Sequence, residues 1–488
     1  MARIPEVARA LDPATAATDA TLPSVRSQEE ERQQHQKKEK EEEKTSKRSH
    51  QSLWQFLRWV GPALMVSIAY MDPGNYGTDI VAGAGYKYSL LWAGWLASAM
   101  AMLLQYLSGK LGIASGYSLP ELVRRSLGGR KRYVIPYWLA AEAASAATDL
   151  AEYLGTVLGL NILFGIPLIY AAIFGALDVI LLLLMMNRRF SLIEQYFALL
   201  ISILVVGILY NLFVVSPDPS LVAYHSIVPL APDNFALLTV VGMIGATVMP
   251  HALFVHSWLS KNKMDLLGLE VNGSKDAKGV TVKDLATIKS GEQNHHEYTL
   301  EQKRRTNRLH LNETIIALTI AGGVNAGILL VAVPLFEGVG VNVGLTVNSF
   351  VSGISSIYGP FIGVLFALTL LASGLSSSAL GTISGQVIME GLIGKRLNLW
   401  IRRIVTRVIN VFPTTIAILL GLSPLSLLVY SQVILSLMIP LPMIPLVYYT
   451  SKGRFMGMLV NRKATIVLAL VTVSLILAFN AYLLIATL

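Results

Sequence analysis

The feature that most constrains this chain of 488 residues is a series of long apolar stretches, which begins near residue 54 and continues to the C-terminus. Each is long enough for a helix to cross the roughly 30 Å hydrocarbon core of a bilayer. Apolar residues make up 53% of the chain and charged residues 14%, which is too little charge to cover the surface of a soluble protein. The sequence therefore predicts an all-α polytopic membrane protein. We expect eleven spans, near 54–82, 88–113, 134–161, 166–186, 192–215, 232–259, 310–336, 357–386, 399–420, 425–449 and 464–487.

The loops between these stretches alternate in charge. Even-numbered loops carry clusters of Lys and Arg, whereas the odd-numbered loops contain one basic residue, Lys87. Basic loops stay on the cytoplasmic side of a membrane. This pattern predicts an inside N-terminus and an outside C-terminus. The net charge of +9 belongs to these loops, because residues 1–52 contribute no net charge, and it does not indicate a nucleic-acid partner.

The chain divides into a polar tail and a membrane domain. Residues 1–52 are rich in Glu, Lys, Arg and Gln and lack the apolar core of a signal peptide, so we expect a disordered cytoplasmic tail. We expect residues 53–488 to form the membrane domain, with a long cytoplasmic loop at 260–309. The chain has no Cys, which excludes disulfides, thiolate metal sites and a cysteine nucleophile.

Two spans are interrupted by proline beside polar or sulfur-containing residues. The first contains Asp72-Pro73-Gly74-Asn75, and the sixth contains Met249-Pro250-His251. Freed backbone carbonyls at membrane depth are tolerated only where they face protein or a watery cavity. Each interruption opens a block of five spans, and the odd number reverses the direction of the second block. We expect a 5+5 inverted repeat with broken spans 1 and 6, in which repeat one covers about 53–215, repeat two about 232–449, and 464–487 is an additional peripheral span.

The residue types at the interruptions favour a particular cation. The carboxylate of Asp72 and the amide oxygen of Asn75 suit hard or borderline divalent ions, and the sulfur of Met249 is acceptable to Mn²⁺, Fe²⁺ and softer ions but is a poor ligand for Mg²⁺ or Ca²⁺. A packing role for Met249 is the alternative. Gln432 in span ten is a candidate further oxygen ligand.

The third span carries three carboxylates on one helix face. Glu142, Asp149 and Glu152 are spaced by seven and three residues, and we interpret them as a proton path or ion vestibule. Hydrogen bonding of protonated acids between helices is the alternative. Arg402 and Arg403, at the start of span nine, either anchor the helix at the cytoplasmic surface or pair with Asp149 or Glu152. Asp178 in span four has no assigned partner.

With these motifs in place, the chain resembles the NRAMP family of divalent metal transporters over about Gly61 to Leu488. The resemblance includes the string Thr148-Asp149-Leu150-Ala151-Glu152 and the segment 372–378. It implies a LeuT-like fold and proton-coupled import of Mn²⁺ or Fe²⁺, often with Co²⁺, Zn²⁺ and Cd²⁺ accepted, and no resident cofactor. It further implies metal ligation by the side chains of Asp72, Asn75 and Met249, by the carbonyls of Ala69 and Ala246, and by Gln432 in some states. The implied proton pathway comprises Asp72, Asp149, Glu142, Glu152, His251 and Arg403.

Other functions remain as alternatives to this interpretation. A carrier of the same fold for Mg²⁺ or an amino acid is the nearest, although an Asp and a Met at the interruptions suit a substrate carboxylate poorly. An intramembrane protease would need catalytic residues such as a His-Glu-x-x-His string, which the sequence lacks. A channel would not need the third-span carboxylates. We therefore expect a transporter and not an enzyme, embedded in a lipid bilayer as a multi-pass protein of the plasma membrane.

Overall fold

The computed structural model describes residue 67 and residues 69–177, 190–271, 298–337, 346–395 and 398–487. The predicted N-terminal tail at 1–52 and most of the predicted loop at 260–309 lie outside these residues, as does Asp178. Every regular element in the described ranges is a helix. The α-helices are α1 (Pro73–Tyr86), α2 (Leu91–Ser115), α3 (Leu119–Ser126), α4 (Lys131–Phe164), α5 (Leu168–Gly175), α6 (Phe190–Val215), α7 (Pro219–Ile227), α8 (Asn234–Thr247), α9 (Pro250–Val271), α10 (Leu300–Ala332), α11 (Val347–Tyr358), α12 (Pro360–Ile393), α13 (Leu399–Leu419), α14 (Pro424–Met438), α15 (Pro440–Thr450), α16 (Gly453–Met456) and α17 (Lys463–Thr487). Short 3₁₀ helices cover Val333–Glu337 and Gly457–Leu459.

Local sequence signals explain where several helices begin. Asp233 caps α8 by accepting a hydrogen bond from the backbone N–H of Ala236. Ser118 with Glu121 forms a capping box at α3, and Thr299 with Gln302 forms another at α10. These side chains satisfy backbone N–H groups that have no partner inside the helix.

Two glycines let helices approach closely around the centre of the protein. A Cβ on Gly155 of α4 would overlap the ring of Pro73 at the start of α1. A Cβ on Gly245 of α8 would overlap the backbone oxygen of Gln432 in α14. The largest helix–helix contact joins α4 to α12, and α10 packs on both α1 and α2. The two interrupted segments are therefore enclosed by α4, α10, α12 and α14.

The outer surface of the helices is apolar. Large apolar side chains are exposed on α6, α7 and α13, among them Phe213, Ile227 and Phe412. The last helix, α17, has most of its apolar length exposed. Such exposure on long helices is typical of a surface that contacts lipid, because no water-soluble protein leaves so much apolar area uncovered.

The membrane-spanning helices agree with the predicted spans where they can be compared. Within the described residues, six helices are long and apolar enough to cross a membrane, or seven if the pair Leu199–Val215 and Pro219–Ile227, bent by 119°, counts as one span. The six are Leu91–Ser115, Asn234–Lys261, Leu300–Leu335, Pro360–Ile393, Pro424–Thr450 and Lys463–Ile485. They coincide with predicted spans two, six, seven, eight, ten and eleven. Span three falls within α4, and spans one and four extend into residues outside the description, so the count of eleven stays a prediction.

Candidate metal centre

The first predicted interruption is present in the structure. Ala69 is helical, residues 70–72 form a turn, and α1 begins at Pro73. Asp72 caps α1: its Oδ1 accepts hydrogen bonds from the backbone N–H of Asn75 at 2.9 Å and from Asn75 Nδ2 at 2.8 Å. The sequence folds this way because Pro73 has no N–H to donate and its fixed φ suits the first position of a helix.

The carbonyls released by this turn find partners on two other helices. The carbonyl of Tyr70 accepts a hydrogen bond from Asn325 Nδ2 of α10 at 2.9 Å. The carbonyl of Met71 accepts one from the hydroxyl of Ser373 in α12. An unwound segment inside a membrane protein needs such partners, because an unpaired buried carbonyl is costly. The turn before Asp72 is thus held between α10 and α12.

The second interruption lies directly against the first. Helix α8 ends at Thr247 and α9 begins at Pro250, which leaves Val248 and Met249 between them. Asn75 Nδ2 donates to the backbone oxygen of Ala246 at 3.2 Å, and Thr247 Oγ1 donates to Asn75 Oδ1 at 3.1 Å. The two interrupted segments, which are distant in sequence, therefore meet at Asn75.

The predicted ligands at this meeting point are all buried. Asp72, Met249, Ala246 and Gln432 are 0% exposed, and Asn75 is 1% exposed. Ala69, the last helical residue before the turn, is buried as well. The amide group of Gln432 lies against Gly74, at a position that a Cβ on this glycine would occupy.

Two oxygen atoms in this cluster have no hydrogen-bond partner among the described residues, namely Asp72 Oδ2 and Gln432 Oε1. A buried carboxylate with no counter-charge is expensive, so such a group is expected to meet a cation during its working cycle. The described residues contain no group of three or more His, Cys, Asp and Glu side chains that could hold a metal ion. A metal held here would therefore depend on one carboxylate supplemented by amide, thioether and backbone donors.

The acidic face of α4 continues from this cluster. His251, the residue after Pro250, places its Nδ1 3.0 Å from the Oγ1 of Thr148, which precedes Asp149 in α4. Asp149 and Glu152 are 4% and 1% exposed, and both point their carboxylates at Gly381 of α12. A side chain at position 381 would collide with these oxygens, so the glycine keeps space for them.

The third carboxylate of this face, Glu142, is held by an arginine. Arg402 Nη2 lies 2.6 Å from Glu142 Oε2, and Trp138 Nε1 donates to Glu142 Oε1 at 3.0 Å. The sequence suggested surface anchoring, or Asp149 or Glu152 as partners, for an arginine of span nine. The observed partner of Arg402 is Glu142, about two to three turns nearer the start of α4. This pairing depends on how α4 and α13 are positioned along each other, and the spacing of residues within one helix does not predict that. The side chain of Arg403 is outside the description.

Several residues that organise the centre were assigned no role from the sequence, although Ser373 lies in the segment 372–378 that carries the resemblance. Thr247, Asn325 and Ser373 support the interruptions through the hydrogen bonds given above. Asn325 had an available signal, since an amide in the apolar run of α10 is unusual for a membrane span. Asp79, a carboxylate in α1 with 3% exposure, had the same signal.

These features define a helical membrane protein with a buried polar centre at two touching helix interruptions, which is the architecture of a solute transporter. The profile of a family described as "Natural resistance-associated macrophage protein-like" matches residues 63–486. The chain belongs to this family, as the resemblance of its motifs indicated.

Individual relatives agree with this assignment. The chain is 38% identical over 435 residues to "Divalent metal cation transporter MntH" of Deinococcus radiodurans, covering 88% of this chain and 90% of the relative. It is 36% identical over 431 residues to the protein of the same name from Bacillus subtilis, covering 88% and 92%.

Solved structures give the same result. A manganese transporter of Eremococcus coleocola, in complex with an aromatic bis-isothiourea substituted compound, matches with a TM-score of 0.74 and 30% identity, covering 88% of this chain and 86% of that chain. The structure of MhsT in complex with L-phenylalanine matches with a TM-score of 0.51 at 14% identity, covering 86% of this chain and 98% of that chain, and shows likeness of fold alone. The chain is thus a divalent metal cation transporter and not an enzyme. It is a multi-pass integral membrane protein, and its bacterial relatives favour the plasma membrane.

Proposed function

We propose that this protein is a proton-coupled symporter that imports Mn²⁺ or Fe²⁺, with Co²⁺, Zn²⁺ and Cd²⁺ as further substrates, by alternating access. The observation that carries the proposal is the contact between the two interruptions, where Asn75 bridges Asp72 and Ala246 while Asp72 Oδ2 has no partner among the described residues. A site built from two discontinuous helices opens to either side of the membrane when one helix pair tilts against the rest.

The metal would replace the hydrogen bonds that now occupy this centre. Asn75 uses its Nδ2 as donor to Asp72 and Ala246, so rotation of the amide would present an oxygen to the ion and release both acceptors. The ligands that we assign are Asp72, Asn75, Met249, and the carbonyls of Ala69 and Ala246, with Gln432 joining in some states. The thioether favours transition metals, because Mg²⁺ and Ca²⁺ prefer oxygen donors alone.

The proton would leave the same centre along α4. Asp72 is the first acceptor, and the His251–Thr148 contact at 3.0 Å links the second interruption to the helix that bears Asp149 and Glu152. From there Glu142, paired with Arg402, continues towards the predicted cytoplasmic end of α4. We include Arg403 in this pathway as a prediction from its neighbouring position.

We further propose the membrane arrangement that the loop charges predict. The protein has eleven spans in a 5+5 inverted repeat, with α1 and α8–α9 as the interrupted spans and α17 as the additional one. The N-terminus and the charged tail at 1–52 lie in the cytoplasm, and the C-terminus lies outside.

Asp149→Asn tests proton coupling separately from metal binding. In proteoliposomes that contain a pH-sensitive dye, we expect this variant to lose most Mn²⁺-driven acidification, because the amide cannot accept a proton. Mn²⁺ binding to the purified variant should stay close to the wild-type value, because Asp149 is not a proposed ligand. Asp149→Glu is the matched control that keeps the carboxylate. Unchanged acidification in Asp149→Asn would move the proton route away from α4.

A further inference from the structure

We propose that Asp79 is a second cation-holding carboxylate, at which the incoming divalent metal ion binds before it reaches Asp72. The inference rests on the proposed transport function and deepens it by naming an outer station on the route to the central site. Asp79 lies within α1, between a cleft at the C-terminal end of this helix and the metal centre at its N-terminal end.

The first argument is the isolation of the Asp79 carboxylate. The side chain is 3% exposed, and its Oδ2 has no hydrogen-bond partner among the described residues. The ion pairs of Lys261 with Glu121 and of Arg402 with Glu142 do not involve Asp79. A buried carboxylate without a counter-charge is unfavourable unless a cation reaches it.

The second argument is the position of Asp79 relative to Asp72. The two residues are seven apart, which is close to two helical turns, so they share one face of α1 about 10 Å from each other along the axis. When both are ionised, two carboxylates at this spacing repel each other. A divalent ion between two carboxylates on one face removes this repulsion, and it can move from one to the other without leaving the helix surface.

The third argument is access. A cleft of about 1000 Å³ opens at the end of α1 and is lined there by Gly85, Tyr86 and Lys87. Gly85 is six residues from Asp79, or about 9 Å along the helix. The cleft, Asp79 and Asp72 therefore follow one another along α1, and the predicted topology places the cleft on the outer side of the membrane.

The two carboxylates differ in what surrounds them, and this difference assigns them separate tasks. Asp72 lies with Asn75 and Met249, whose amide and sulfur distinguish one metal from another. Asp79 lies on α1 about two turns from Asp72 and has no methionine beside it in the chain. We infer that Asp79 increases the rate at which divalent ions are captured, and that it contributes little to selectivity.

The test is Asp79→Asn in the full-length protein reconstituted in proteoliposomes, with Mn²⁺ as the probe. We expect kcat/KM for Mn²⁺ uptake to fall about tenfold, because the entering ion loses the negative charge that captures it before it reaches the central site. Equilibrium Mn²⁺ binding to the purified protein, measured by calorimetry, should stay within about threefold of wild type, because the central ligands are intact. Discrimination against Ca²⁺ should not change.

Two further variants separate this role from a structural one. Asp79→Glu keeps the charge and should recover most of the lost kcat/KM. Asp218→Asn removes an exposed carboxylate that caps α7, and solvent screening should limit its effect to less than about twofold.

The outcomes that overturn the inference are distinct from those that overturn the proposed function. Wild-type Mn²⁺ transport with an unchanged kcat/KM in Asp79→Asn refutes the outer station alone. The same holds if Asp79→Asn and Asp79→Glu lose transport and thermal stability equally, since the carboxylate is then structural. If Asp79→Asn changes only the pH dependence of uptake and leaves the KM for Mn²⁺ unchanged, Asp79 takes part in proton transfer and the metal station is refuted. Absence of Mn²⁺ transport in the wild type refutes the proposed function itself.

Discussion

The ion pair between Arg402 and Glu142 gives a quantitative prediction about the proposed proton route. The two side chains are 8% and 21% exposed, and their charged atoms are 2.6 Å apart. Loss of one partner from a fully buried pair costs about 3–5 kcal/mol, because the other charge is left buried. Since Glu142 keeps some contact with solvent, we expect about 2–3 kcal/mol for Arg402→Met or Glu142→Gln alone.

The double variant should be much less destabilised than the sum of the two single variants. With both charges removed, no buried charge remains, and we expect a coupling energy of about 2 kcal/mol, which is roughly a 30-fold change in an equilibrium constant. Thermal unfolding of purified protein in detergent measures this for the four proteins of the cycle. Arg305→Met, at an exposed position in α10, is the control for loss of an arginine. Strictly additive shifts in Tm would refute the coupling and leave the pair as an incidental contact.

Three further predictions concern the metal centre and its support. Met249→Ala should relax discrimination against Ca²⁺ about tenfold while Mn²⁺ still binds. Met249→Leu keeps the side-chain volume and therefore separates the loss of sulfur from the formation of a cavity. If both variants retain discrimination, the sulfur has only a packing role. Gly245→Ala should slow Mn²⁺ uptake several-fold, because its Cβ would overlap the backbone carbonyl of Gln432. Gly323→Ala is the control and should not slow uptake, because the space around Gly323 is open. Equal uptake rates in the two variants would contradict the close approach of α8 and α14. The hydrogen bonds from the Ala236 N–H and the Tyr86 hydroxyl hold the pKa of Asp233 below its usual range, so its cap stabilises the protein at neutral pH and this contribution is lost as the pH falls below about 4. The Tm difference between wild type and Asp233→Ala should therefore shrink on acidification, and a constant difference would speak against the cap.

The two helix interruptions could be predicted from the sequence because their cause is local. Pro73 and Pro250 lack an N–H and favour the first position of a helix, where α1 and α9 begin, and Asp72 needs only the next three residues to become a cap. The three carboxylates of α4 were equally accessible, because helical periodicity places them on one face without reference to any other helix.

Contacts between residues distant in the chain could not be predicted from the sequence, because tertiary packing determines them. Asn325 and Ser373 stabilise the turn before Asp72, but each is more than 250 residues away in the chain, and no local pattern connects them to it. The pairing of Arg402 with Glu142 was not among the alternatives offered by the sequence, since the relative position of α4 and α13 decides it. Asp79 was not predicted as a site residue, although a carboxylate inside an apolar helix is a signal that the sequence contains.

The central claim is that Asp72 and the second interruption together form the metal site. The most direct test is Mn²⁺ influx into proteoliposomes that hold a metal-quenched dye, compared between wild type and Asp72→Ala, with excess Ca²⁺ and Mg²⁺ outside. We predict wild-type influx that resists both competitors, and loss of influx in Asp72→Ala with the protein still folded by thermal unfolding. Near-normal influx in Asp72→Ala, or Mg²⁺ winning the competition in the wild type, would contradict the account.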